Sequence, residues 1–290
     1  MGIKIFLNGN FVDKEKAVVS VFDHGLLYGD GVFEGIRSYK RRVFRLDKHM
    51  DRLYSGAGEI GLEIPMTKGE FTGKVTETLK VNDLDDAYIR VVVTRGAGDL
   101  GLDPRKCKVP TVFIIADKIK LYPEEMYRNG MPITIAKTRR NHPAALNPRI
   151  KSLNYLNNIL ARIEAIKAGV EEALMLSIDG HVVECTGDNI FIVKGGKIRT
   201  PLPELGALKG VTQEAVLELA RGMGIDTDYR ALMPEDLFSA DECFLTGTAA
   251  EVIPVVEIDG KKIGPGRPGD VTGRLIKAYH ELTSREGVPY

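Results

Sequence analysis

The chain has 290 residues, with 40 basic and 40 acidic side chains and no formal net charge. That length allows one large or two medium domains with a real core, and the charge balance excludes the basic field of a nucleic-acid binder. There is no apolar run of about 18 residues and no signal-peptide core in "MGIKIFLNGNFV", and Cys107, Cys185 and Cys243 are too dispersed for a disulfide framework or a metal knuckle, so a cytoplasmic protein without membrane or metal is expected.

In chain order, "KIFLNGNFV" reads as a hairpin turning at Asn8-Gly9, and "VFEGIRSY" with "RVFRL" as a second strand pair around Lys40 to Arg42. Asp47 is expected to cap a helix whose apolar residues Met50, Leu53, Tyr54, Ala57 and Ile60 recur at helical spacing. Thr67 and Glu70 form a capping box ahead of Phe71, Val75 and Leu79. The β-branched runs "YIRVVVT" and "TVFIIA" read as buried strands. Pro, Asn and Gly break the pattern over 118–130, which places a domain joint near residue 125, between segments 1–125 and 126–290. Beyond it, "ITIAKT" is a strand. A helix follows Lys151, with Leu153, Leu156, Ile159, Leu160 and Ile163 on one face and Gly169 at its end. Turns at Asp179-Gly180, Gly195-Gly196 and Asp259-Gly260 then alternate with strands, and helices lie over "GVTQEAVLELARGMG" and "DVTGRLIKAYHEL". Hairpins this frequent imply largely antiparallel sheets in an α/β chain of the α+β kind.

Gly96, Gly98 and Gly101 in "RVVVTRGAGDLGLDP" have the spacing of a dinucleotide fingerprint. That fingerprint needs a helix opening at the third glycine, and Leu102-Asp103-Pro104 oppose one there. The glycines read instead as a sharply turning loop.

Lys151 stands out. A lone lysine is usually solvated surface, but this one is expected at a helix start, where the dipole disfavours a cation. It is flanked by apolar Ile150 and Leu153, where desolvation disfavours the charged form. Two later segments suit a phosphate-bearing aldehyde. Gly210 precedes an amphipathic helix, so the amides of Val211 and Thr212 form an anion site, although an ordinary helix start has the same pattern. Gly247-Thr248-Ala249 is a small-residue turn that lets a ligand approach the backbone, or simply a tight turn.

Taken together, "VSVFDHGLLYGDGVFEGIRSY", "HMDRL", "YIRVVVTRGAGDLGLDP", "KSLNYLNNILARIEA", "VVECTGDNIF", "LKGVT" and "LTGTAAEVIPV" resemble the class IV aminotransferases, in order and over nearly the whole chain. The resemblance is greatest to branched-chain amino acid aminotransferases. It implies the two-domain fold type IV of pyridoxal-phosphate enzymes, shared with D-amino-acid aminotransferases. In that fold a smaller N-terminal and a larger C-terminal domain flank the cofactor, and the enzymes are homodimers or larger.

The resemblance also implies roles. Lys151 would hold pyridoxal phosphate as a Schiff base and then shuttle the substrate's proton. Glu184 would face the ring nitrogen, and Tyr155 the phenolic oxygen. Arg52, the amides of Val211 and Thr212, and Thr248 would cup the phosphate. Tyr28, Phe33, Tyr88 and Arg90 would line the substrate pocket. Tyr88 and the Thr248-Ala249 turn would take the α-carboxylate, and Arg90 the distal carboxylate of glutamate. An aromatic that some relatives contribute from the interdomain loop has no clear counterpart in this sequence; Leu121 and Tyr122 lie near its place. The activity implied is ping-pong transfer of the amino group of leucine, isoleucine or valine to 2-oxoglutarate. D-amino-acid aminotransferase and aminodeoxychorismate lyase share the scaffold, and "YIRVVVTRGAGDLGLDP" favours the branched-chain type. A catalytically silent binding protein is the reading from another class; the joint presence of Lys151, Glu184 and Arg52 speaks against it.

Overall fold

The computed structural model describes residues 2–119 and 122–290. The chain divides into two compact units, Met1–Lys120 with Ile150–Asn154 and Thr283–Tyr290, and Leu121–Arg149 with Tyr155–Leu282. A single cut near residue 125 does not capture this interleaving, because two later segments join the first unit.

In the first unit, β1 (Lys4–Leu7) and β2 (Asn10–Asp13) meet at Asn8-Gly9. Both turn residues have positive φ, 47° and 93°, as the two-residue turn matched to strand twist requires. There follow α1 (His24–Tyr28), β3 (Gly31–Tyr39), β4 (Arg42–Val43), α2 (Leu46–Glu59), α3 (Lys68–Val81), β5 (Ala87–Thr94) and β6 (Thr111–Asp117). With the C-terminal strand Val288–Pro289 they form a seven-stranded sheet ordered Val288–Pro289, β4, β3, β5, β6, β1, β2, antiparallel throughout. The capping box of α3 is present: Glu70 N donates to Thr67 Oγ1 at 3.2 Å and Thr67 N to Glu70 Oε2 at 2.7 Å. Helix α2 departs from expectation at its start, where Arg45 is the N-cap and Asp47 lies inside the first turn. Met50 and Leu53 of α2 and Phe71 and Val75 of α3 pack on Val32, Ile36, Ile89 and Val91 of the sheet. Burying each such side chain contributes about 1.5–3 kcal/mol.

The second unit contains α4 (Glu124–Asn129), β7 (Met131–Ile135), α5 (Leu156–Lys167), β8 (Ala173–Leu176), β9 (Val182–Cys185), β10 (Asn189–Lys194) and β11 (Lys197–Pro201). It continues with α6 (Val211–Gly222), β12 (Thr227–Arg230), α7 (Pro234–Phe238), β13 (Glu242–Gly247), β14 (Glu251–Ile258) and β15 (Lys261–Lys262), before α8 (Asp270–Arg285). Its sheet runs β12, β11, β10, β13, β14, β7, β8, β9, with β15 beside β14. Pairing is antiparallel through β11, β10, β13 and β14, and parallel at β12–β11, β14–β7 and β7–β8. The expected, largely antiparallel pairing thus holds without exception in the first sheet and for most pairings of the second, where β8–β9 and β14–β15 are antiparallel too.

Helix α5 corrects two expectations. It begins at Leu156, five residues after Lys151, so Lys151 does not stand in the first turn of that helix. Its apolar stripe also does not face the core: Leu156, Ile159, Leu160 and Ile163 are exposed. The packed face is Asn158, Ala161 and Ala165, because small alanines let the helix approach Ala173 and Met175 of β8 closely. Among the described residues, no helix is long and apolar enough to cross a membrane.

Candidate functional site

Lys151 owes its place to β3. Its carbonyl accepts from Phe33 N at 3.0 Å, Leu153 N donates to Gly31 O at 2.9 Å, and Ser152 bridges to Val32. This short pairing is why Ile150–Asn154 belongs to the first unit. It brings the Lys151 ammonium 4.7 Å from the centre of the Phe33 ring.

Side chains alternate along β3. Phe33, Gly35 and Arg37 lie opposite Val92, Arg90 and Tyr88 of β5. The Arg90 guanidinium stacks 4.5 Å from the Phe33 ring centre and 5.6 Å from that of Tyr88, and Arg90 Nη2 donates to the Tyr88 hydroxyl at 3.3 Å. A Cβ on residue 35 would strike the Tyr88 hydroxyl, so only glycine lets that ring lie over the strand. Phe33, Tyr88, Arg90 and Lys151 are thus one group, with an apolar ring under two cations. Tyr28 makes its contacts with the glycine loop and with α1: its hydroxyl accepts from Gly101 N at 3.0 Å and its ring meets His24 edge-on. His24 Nε2 also bonds Asp99 O at 2.9 Å. The glycine loop is therefore tied to α1, and a Cβ at Gly96 would overlap the Val109 carbonyl. That glycine serves chain packing.

The opposite phase of β3 puts Glu34 against α2, fully buried. Arg52 donates to it twice, Nε to Oε1 at 2.7 Å and Nη2 to Oε2 at 2.8 Å, and His49 Nδ1 lies 2.8 Å from Oε2. Burial alone would push the Glu34 carboxyl up, but the Arg52 charge and the bonds from Arg52 and His49 prevail and bring it to about 2. Burial pushes His49 down, against the pull of Glu34 and with the help of the Arg52 and Lys151 charges. Sequence reasoning finds Arg52 and passes over Glu34 and His49, although the alternation Val32, Glu34, Ile36 places the acid in the core-facing phase.

In the second unit Glu184 of β9 is buried. Its Oε1 pairs with Arg140 Nη2 at 2.8 Å, and its Oε2 accepts from Leu208 N at 2.9 Å and, at 3.4 Å, from Asn189 Nδ2. Arg140 also donates through Nη1 to Asn158 Oδ1 of α5 at 2.8 Å. The adjacent Asn157 donates through Nδ2 to the Arg139 carbonyl at 2.8 Å. Asn189 also donates to Leu208 O at 2.8 Å, and a Cβ on Gly210 would strike its Oδ1. The loop entering α6 is therefore clamped to the Glu184 carboxylate. Val211 and Thr212 open α6, where amides have no acceptor within the helix and the dipole favours an anion. Tyr155 is the N-cap residue of α5. Thr248 and Ala249 form the turn between β13 and β14, closed by Glu251 at φ 58°, whose carboxylate meets His280 Nε2 at 2.9 Å. Thr246 Oγ1, just before this turn, is buried without a hydrogen-bond partner among the described residues. Leu121 lies outside the described residues. Tyr122 packs on the second core, and burial, with the charges of Asp188 and Glu172, pushes its phenol up. Arg140 and Asn189 carry no local signal of their roles.

Residues 31–258 match the family model described as amino-transferase class IV. A Methanocaldococcus jannaschii protein, provisionally named a branched-chain-amino-acid aminotransferase, is 52% identical over 286 residues, which is 99% of this chain and 98% of that protein. The Escherichia coli branched-chain amino acid aminotransferase structure superposes with a TM-score of 0.95 at 34% identity, covering 98% of this chain and 95% of that one. A T.th. branched-chain amino acid aminotransferase, solved with pyridoxamine 5'-phosphate, gives a TM-score of 0.94 at 36% identity, covering 98% of this chain and 94% of that one.

Proposed function

Because the chain belongs to the class IV aminotransferases, we propose that it transfers the amino group of L-leucine, L-isoleucine or L-valine to 2-oxoglutarate with the help of pyridoxal phosphate. The observation that carries this reading is the group of Lys151, Phe33, Tyr88 and Arg90, which combines a reactive amine, an apolar surface and a second cation. The fit to the cofactor rests on this chain's own chemistry: an amine for an aldehyde, a buried carboxylate for a ring nitrogen, and an anchored arginine and a helix start for a phosphate.

Pyridoxal phosphate, when bound, supplies a carbonyl carbon that receives the amino group and a ring that withdraws electrons from the substrate. Lys151 would anchor it through its amine and, once displaced, take the proton from the substrate's Cα. Glu184, fixed by Arg140 and Leu208, would hold a proton at the ring nitrogen. Tyr155 would donate to the phenolic oxygen. Arg52, the amides of Val211 and Thr212, and the Thr248 hydroxyl would bind the phosphate. Tyr28 and Phe33 would contact the side chain of the amino acid, and Tyr88 with Thr248-Ala249 the α-carboxylate. A coupled assay decides the matter: activity with L-leucine and 2-oxoglutarate is expected, and activity with D-alanine alone would make the chain a D-amino-acid aminotransferase. Release of pyruvate from aminodeoxychorismate would make it a lyase.

One pocket must accept both leucine and glutamate, and the second carboxylate of glutamate is costly to bury unpaired. Arg90 is the cation available to it, and its planar fork cannot be replaced by lysine without loss. Arg90→Leu is therefore expected to slow the glutamate half-reaction at least about tenfold more than the leucine half-reaction, by loss of a charged hydrogen bond. Single-turnover absorbance changes with each amino acid separate the two. Equal losses would move Arg90 to the shared α-carboxylate.

A homo-oligomer in the cytoplasm belongs to the same proposal. The apolar stripe of α5, with Leu156 65% and Ile166 64% exposed, supports coverage by a second copy.

A further inference from the structure

We propose that Glu34 and His49 are positioning residues that set the Arg52 guanidinium to grip a phosphate. The proposal rests on the reading that Arg52 binds the cofactor's phosphate. Glu34 sits in the middle of β3, opposite Val91, in a phase otherwise filled by the apolar Val32 and Ile36 of the core. A carboxylate there loses its water and is tolerated only with near-complete compensation. His49 and Arg52 are three residues apart on α2, so both project from one helix face onto Glu34. His49 is buried as well, whereas the Arg52 side chain is 17% exposed.

The contact with Glu34 uses Nε and Nη2, one edge of the planar guanidinium. Two parallel bonds fix both the plane and the tilt of that group. They turn the Nη1 edge away from Glu34. Without the anchor, a long arginine side chain would have to give up its rotamer freedom each time it bound. The His49 ring bonds the same Oε2 that receives Arg52 Nη2, so it holds the carboxylate against rotation. The Lys151 charge reaches His49, which puts this device within electrostatic range of the reacting amine.

The test measures cofactor affinity in the full chain stripped of cofactor, by absorbance titration with two probes, pyridoxal phosphate and pyridoxal. Glu34→Gln is expected to raise the Kd for pyridoxal phosphate roughly ten- to hundredfold, the range that follows from losing a charged hydrogen bond, and to leave the Kd for pyridoxal unchanged. Arg52→Gln should weaken pyridoxal phosphate at least as much, and the double variant should lose little more than Arg52→Gln alone, since the two act as one unit. His49→Phe, which keeps the ion pair, should give a smaller loss that is again confined to the phosphate-bearing probe; it serves also if Glu34→Gln does not fold. Equal weakening of both probes by Glu34→Gln would overturn the proposal in favour of a structural role. Unchanged affinity in Glu34→Gln, or in His49→Phe where only that variant folds, would overturn it while leaving the proposed function in place. If Arg52→Gln itself left pyridoxal phosphate binding intact, the phosphate-binding reading of Arg52 would fall, and the positioning role with it.

Discussion

Lys151→Ala is expected to leave a folded protein that transfers amino groups at least about a thousandfold more slowly than the parent, within the range that a positioned general base contributes. The fold survives because Lys151 contributes its backbone to the structure: its carbonyl receives Phe33 N, and Ser152 and Leu153 complete the bridge to β3. Alanine keeps all of these. Among the contacts the fold loses is the ammonium over the Phe33 ring, which contributes about 0.5–1 kcal/mol at an exposed site. The chemistry loses far more. A positioned general base alone contributes about 10²–10⁴ in rate, and in the proposed function Lys151 would also supply the amine that joins the cofactor to the chain. Circular dichroism should therefore match the parent, and cofactor should still bind through its phosphate. Borohydride reduction of the parent, followed by peptide mapping, should place the cofactor on Lys151. A label on any other lysine would end this assignment, as would substantial turnover by the alanine variant.

Much of this arrangement is legible in the sequence, and the reasons for the failures are specific. Local rules are enough for the Asn8-Gly9 hairpin and the capping box at Thr67, because turn dihedrals and helix-end hydrogen bonds are decided within four residues. They are also enough for the core faces of α2 and α3, where the apolar period matches the packed side. The same period misleads at α5. An apolar stripe tells that a helix has something to bury, not what it meets, and here the sheet takes the alanine face while the leucine and isoleucine face remains exposed. The bridge between Ser152 and Val32 is too short to leave a period of two, so sequence puts Lys151 at a helix start when it stands beside a strand. Arg140 and Glu184 are far apart in sequence, and nothing near either one announces the other. Glu34 is different. Its phase between Val32 and Ile36 is a readable anomaly, an acid where the pattern asks for an apolar residue. Such a breach of pattern is where a functional contact is to be sought.

Glu184→Gln is expected to lower kcat at least about a hundredfold, the lower range for losing one positioned proton-holding group. Glutamine matches glutamate in shape, so the change removes the charge without changing the volume, at some cost in hydrogen bonding. Every interaction around the carboxylate comes from a donor: Arg140 Nη2 at 2.8 Å, Leu208 N at 2.9 Å and Asn189 Nδ2 at 3.4 Å. A glutamine has one acceptor oxygen and must turn its amide donor toward some of them. It also leaves the Arg140 charge buried without its partner, a change that costs about 3–5 kcal/mol when one member of a buried pair is removed. A fall in thermal stability must accordingly be separated from a fall in catalysis, which single-turnover rates on the folded fraction accomplish. Glu184→Asp supplies the control. It keeps the charge on a shorter arm, and should recover part of the lost rate if charge at the ring nitrogen is what matters. Aspartate as slow as glutamine, with both variants folded, would mean that reach and not charge sets the rate. Near-parental turnover in Glu184→Gln would show that this carboxylate serves Arg140 and the 208–210 loop and has no part in holding the ring proton.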